Sequence, residues 1–105
     1  MIKFILFSLG LFVVGPSLAS SIQIAAIGSS PKGQFVAIEE YGYNQGLKTY
    51  YSRIRFMNLW KKEYAGPTVE IEQGARHPDD LKRVREKAKR SAEPHFEQFN
   101  IVTSS

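Results

Sequence analysis

Apolar and polar positions along this chain fall into successive blocks with different periods. Residues 21–28, SIQIAAIG, form a β-branched run of strand length. Ile22 and Ile24 fall on one face and Ala25 and Ile27 on the other, so such a strand calls for cover on both sides. Residues 34–41, QFVAIEEY, follow as a second strand, with Val36 and Ile38 on one parity and Phe35 and Ala37 on the other. Between them, residues 29–33 make a turn with a mechanism. Pro31 presets φ, Ser30 can bond the backbone ahead, and Gly33 can take positive φ. Antiparallel pairing across so short a turn is the cheapest arrangement.

Residues 42–49, GYNQGLKT, lack a period and predict a loop. Alternation is clearest in residues 50–59, YYSRIRFMNL. Tyr50, Ile54 and Phe56 share one parity there, and Tyr51, Arg53 and Arg55 the other. After Trp60, the basic turn and Gly66-Pro67, a fourth strand alternates Val69 and Ile71 with Glu70 and Glu72. If residues 59–66 close the connection, Arg55 faces Glu70, Arg53 faces Glu72, Ile54 meets Ile71 and Phe56 meets Val69. A slip by one residue would turn the isoleucines to water.

Period then changes from two to nearly four. Gly74-Ala75-Arg76-His77 is a linker, Pro78 suits a first helical position, and Asp79 and Asp80 suit the first turn. Leu81, Val84, Ala88 and Ala92 recur at helical steps that continue past Pro94 to Phe96 and Phe99. One kinked helix or two helices on one stripe would satisfy that pattern. Its narrow, alanine-rich stripe allows close approach to a sheet, and the final IVTSS carries no clear terminator. The pattern therefore predicts an α+β domain: a four-stranded antiparallel β-meander over residues 20–74, with a C-terminal helical segment, 75–105, packed on one face.

Residues 1–19 carry a different signal. Lys3 is a short positive start, residues 4–14 are an apolar run broken by Ser8 and Gly10, and Gly15-Pro16 end it. Ser17-Leu18-Ala19 places small residues where a signal peptidase reads, so cleavage after Ala19 is expected. The run is too short to span a bilayer, which takes about 20 apolar residues. The mature chain is then periplasmic or secreted, without a stable membrane anchor. It retains about 85 residues, enough for one thin core.

Composition changes this picture little. A hydrophobic content of 43% belongs to a folding sequence. The absence of cysteine excludes disulfides, thiolate zinc sites and a lipid-modified N-terminal cysteine. The net charge of +4 concentrates in Lys82, Arg83, Arg85, Lys87, Lys89 and Arg90, with Glu86 the one acid among them. That run reads as a solvated helix face. Export and the lack of a base-stacking platform argue against nucleic acid as a partner.

Catalytic chemistry finds no foothold. His77 and His95 lack metal-ligand spacing, and no cofactor or metal is expected. Glu39 and Glu40, as strand neighbours, point to opposite faces and cannot flank one bond. No glycine-rich loop precedes a helix. Tyr41, Tyr43, Tyr50 and Tyr51 gather around one loop beside Asn44 and Gln45, and aromatic faces with nearby amides suit a glycan or peptide ligand. A loop packed by its own aromatics would use the same residues.

The turn at Ser30-Pro31-Lys32-Gly33 and the apolar strand after it resemble one blade of the TolB-type β-propeller repeats. One blade cannot close a propeller, which takes about four or more. A wider resemblance is to a bacterial family of predicted secreted proteins with a domain of unknown function. It rests on that turn, Glu40-Tyr41-Gly42, Asn44-Gln45-Gly46, Gly66-Pro67 with Val69, and the Arg/Lys/Ala-rich helix running into residues 92–101. Lys32 departs from the family's aspartate, and family members continue where this chain stops. The resemblance implies export and an unassigned role, and it brings no functional residues with it. Together these readings predict a non-enzymatic binding or structural module of the cell envelope that meets an envelope protein, peptide or glycan. The alternative is a shortened remnant of a longer envelope protein or enzyme.

Overall fold

A computed structural model describes residues 21–103. The expected signal peptide and its cleavage after Ala19 lie outside the described residues. The chain runs β1 (Ser21–Ser29), β2 (Phe35–Asn44), β3 (Thr49–Asn58), β4 (Glu63–Gly74), α1 (Asp80–Gln98) and β5 (Val102–Thr103). The first four strands form an antiparallel meander, and the short β5 joins the outer side of β1. The sheet thus has five strands, in the order β4-β3-β2-β1-β5, where four were expected.

The fifth strand follows from how the helix ends. Asn100 takes a positive φ of 57°, the Ile101 N–H bonds the Phe96 carbonyl at 2.8 Å, and the Asn100 N–H bonds the Glu97 carbonyl at 3.1 Å. This is the Schellman closure, in which asparagine replaces the usual glycine and two apolar residues, here Phe96 and Ile101, are buried together. The terminator missing from IVTSS lies one residue upstream of it. α1 itself continues through Pro94, which sits on its exposed side, so a single helix carries the whole stripe.

Turn chemistry matches the side chains. Ser30 Oγ accepts from the Phe35 N–H at 3.0 Å, the Gly33 N–H bonds the Ser30 carbonyl, and Gly33 has φ of 74°. β1 and β2 pair from Ser21↔Tyr43 to Ser29↔Val36, with Ile27 as an extra residue at a bulge. The predicted loop is shorter than expected, because pairing runs on to Asn44↔Thr49. Asn44 Oδ1 then accepts from the Leu47 N–H to form the connection.

Between β3 and β4 the expected faces hold but the register differs. Arg53 faces Glu70, Ile54 faces Val69, Ser52 faces Ile71 and Tyr51 faces Glu72, two residues from the predicted ladder. The cause lies in the connection. Asn58 Oδ1 accepts from the N–H groups of Trp60 and Lys61, which tightens the turn so that β4 begins at Glu63. β4 then bulges between Ala65 and Val69, where Gly66 has φ of 69° and lies against the Phe99 ring.

α1 lies over β3 and β4 more than over β1 and β2. Val84, Ala88, Ala92 and Phe96 form its buried stripe, and the last three cluster with Ala37, Ile54 and Phe56 of the sheet. The small alanines let the helix approach closely, and the aromatic residues concentrate the buried area at one end. Phe56 is the centre of that end, with ring centroids 5.7 Å from Phe96 and 5.5 Å from Phe99. Phe99 reaches Phe35 at 4.8 Å, which ties β2 to the helix exit. The face of the sheet turned away from α1 has no covering element among the described residues. No described helix is long and apolar enough to cross a membrane.

Candidate functional site

Strand alternation divides the four tyrosines. Tyr41, Tyr43 and Tyr50 share parity with the buried Glu39 and Ser52 and so face the helix side, while Tyr51 faces the open side with Arg53. Tyr43 and Tyr50 are cross-strand partners whose rings meet edge to face at 5.6 Å. Tyr41 lies beneath the Arg85 guanidinium, 3.6 Å from its ring centroid. Sequence proximity groups these residues; the pleat separates them into the Tyr43–Tyr50 pair and Tyr41 on the helix side and Tyr51 on the open face.

Around Tyr51 the open face carries a ladder of charge and aromatic surface. Arg53 sits between two acids on neighbouring strands, with Nη1 2.8 Å from Glu40 and Nη2 3.1 Å from Glu70. Hydrogen bonds to Glu70 and then Glu40 hold its guanidinium above the ordinary arginine range. The same guanidinium stands 5.7 Å from the Tyr51 ring centre, and Arg55 stands 5.6 Å from that of Tyr64. Partial burial pushes the Tyr51 hydroxyl up, against the pull of Arg53. Thr49 donates its hydroxyl to Glu72 at the end of the ladder.

These side chains border a shallow depression of about 290 Å³, lined by Ile22, Tyr43, Asn44, Leu47, Tyr51, Arg53, Glu70 and Glu72. Tyr43 and Tyr51, from opposite faces, both reach it because it sits at the loop end of the sheet. Ile22 and Leu47 stay 62% and 65% exposed, so the rim presents apolar surface beside fixed charges.

The second constellation is buried. Glu39 is fully buried on the helix side, and Arg85 reaches it from α1 with two hydrogen bonds, Nε to Oε2 at 3.0 Å and Nη2 to Oε1 at 2.9 Å. Ser52 Oγ donates to Oε2 at 2.8 Å. Hydrogen bonding to Glu39 raises the Arg85 pKa, against the opposing effect of burial. Both carboxylate oxygens are thus engaged, and the cluster works as a polar clamp between helix and sheet.

Arg85 corrects the reading of the basic run as a wholly solvated face. A signal for it was present in the chain: Glu39 shares parity with Ala37 and Phe35, and a carboxylate on a covered face needs a cation. Glu40, its neighbour, lies on the other face with Arg53, so a full sheet thickness separates the two acids. At the helix start, Asp80 Oδ2 accepts from the N–H groups of Arg76 and His77, at 2.9 and 2.8 Å. Those two bonds hold its carboxyl below the ordinary aspartate range. His77 thereby takes part through its backbone.

Paired charges, flat aromatics and a shallow depression give this open face the means to hold a partner's surface by hydrogen bonds and ring contacts. No family model, curated protein or solved structure matches this chain.

Proposed function

We propose that this chain is a non-enzymatic binding module of the bacterial cell envelope, using the helix-free face of its sheet around Tyr51 and Arg53 to hold an envelope protein, peptide or glycan. One observation carries the reading: α1 covers one face, and the other presents Tyr51, Arg53 and Glu70 beside an open depression. A shallow surface of this kind suits an extended or macromolecular partner better than an enclosed small substrate. Arg53 is already oriented by two acids, so less side-chain freedom is lost when a partner docks. The envelope assignment draws support from the lysine, apolar run and small-residue end of residues 1–19 and from the resemblance to a secreted family.

The test combines location with contact. The tagged protein is followed through cell fractionation, and a photo-crosslinking residue is placed at the exposed Leu47, beside the depression. An envelope component should crosslink there, and a Tyr43→Ala, Tyr51→Ala double variant should lose it while keeping its melting transition. Recovery only in the cytosol, or a crosslink unchanged by the double variant, refutes the proposal.

A further inference from the structure

The two long edges of the sheet are built differently. β4 carries Pro67, a bulge and the acids Glu63, Glu70 and Glu72, all devices that discourage a further strand. β1 has none of these over residues 21–26, SIQIAA: no charge and no proline, with its bulge at Ile27. On its outer side β5 pairs with Gly28 and Ser29 only, so residues 21–26 have no neighbouring strand there among the described residues. Ile22 and Ile24 are 62% and 68% exposed on the open face, although the apolar pattern of this strand calls for cover.

We propose that this edge pairs with the same edge of a second copy of the chain, antiparallel about a two-fold axis at Gln23. A two-fold perpendicular to the sheet requires that facing residues share a face, and of the two such registers at the middle of the free stretch, on Gln23 or on Ile24, the one on Gln23 sets both isoleucines against isoleucines. Ile22 then faces the second copy's Ile24, and Ile24 its Ile22, which puts four isoleucine side chains side by side. The strand is therefore complementary to itself, as an isologous contact demands. No like charges meet across it. β5 already shows that the β1 edge accepts an antiparallel strand.

Space permits the approach. α1 lies mainly over β3 and β4, so the helices of the two copies stand back from the shared edge on the same side of a continuous sheet. The joined stretch is short, which makes this a weak, concentration-dependent association. The seam adjoins the depression proposed for the open-face partner, since Ile22 borders both.

Sedimentation equilibrium of the chain as isolated from cells tests the pairing, with Gln23→Lys and Gln23→Glu variants. Gln23 is exposed, so neither change disturbs the core. The wild-type mass should rise from one chain to two with concentration. Each variant alone should associate about fivefold more weakly, since like charges then face each other at the axis. An equimolar mixture should regain association as a one-to-one heterodimer. A single-chain mass at all concentrations, or a dimer indifferent to charge at Gln23, overturns the proposal. So does a monomer that binds an unrelated extended peptide along β1.

Discussion

Arg85 grips the fully buried carboxylate of Glu39 with two hydrogen bonds, of 2.9 and 3.0 Å, and covers the ring of Tyr41 with the same guanidinium. One side chain on the helix therefore connects it to β2 through charge, geometry and ring contact. A carboxylate buried on this face is tolerable only while that cation is present.

Arg85→Ala should destabilise the chain by about 3 kcal/mol or more, because it leaves the Glu39 charge in a dry site with Ser52 alone. Replacing both residues by methionine should recover most of that loss, since an apolar pair of similar volume carries no desolvation cost. Urea midpoints of the single and double variants measure the difference. Equal losses in both would mean that packing, not charge, sets the effect.

Gly42 shows how closely the strands approach. A Cβ there would sit 2.0 Å from the Ser21 carbonyl oxygen, a backbone atom that cannot turn aside. Gly42→Ala should cost about 1–3 kcal/mol, the range for overpacking. It should also release the start of β1 from β2. Amide exchange should speed up at Ile22 and Gln23 and stay slow at Ile54 and Phe56.

Asp80 makes stability depend on acid. Its carboxyl titrates below the ordinary value of 3.8 in the folded chain, because the N–H groups of Arg76 and His77 donate to the ionised form. Its contribution is complete above that ordinary value and disappears as pH falls through the lower folded-state value. Asp80→Asn should flatten that segment of the stability curve and leave the slope near neutral pH unchanged. Denaturation midpoints along a pH series read this directly.

Arg53 separates binding from folding. Its side chain and those of Glu40 and Glu70 are 30%, 26% and 44% exposed, so solvent weakens both ion pairs. Arg53→Ala should cost no more than about 1 kcal/mol in stability. The same change should abolish the crosslink at the open face. A large fall in melting temperature would instead make Arg53 a structural residue.

Much of this architecture was legible in short-range pattern. Alternation in residues 50–59 assigns Tyr50, Ile54 and Phe56 to one face of β3 and Tyr51, Arg53 and Arg55 to the other, as the structure has them, and Ser30, Pro31 and Gly33 indicate their turn, because both depend on neighbours in sequence. The β3–β4 register was not legible. It depends on the Asn58 side chain tightening one turn and on a bulge at Gly66, and neither alters the parity that the pattern reports. β5 is not legible either, because Asn100 takes the positive φ that glycine usually supplies at a helix end. Alternation already sets Tyr50 and Tyr51 on opposite faces, but which of them joins Tyr41 and Tyr43 depends on the β2–β3 pairing. The Arg85–Glu39 contact crosses 46 positions, beyond any local period.

The unequal edges of the sheet also bear on how far assembly can go. A sheet with two receptive edges can add molecules without limit and grow into a fibre. Here Pro67, the bulge and the acids of β4 leave one long edge unreceptive, so the pairing proposed at β1 uses the other long edge of each molecule. Among the described residues, growth through that contact ends at two copies, a closed pair where two receptive long edges would give a filament.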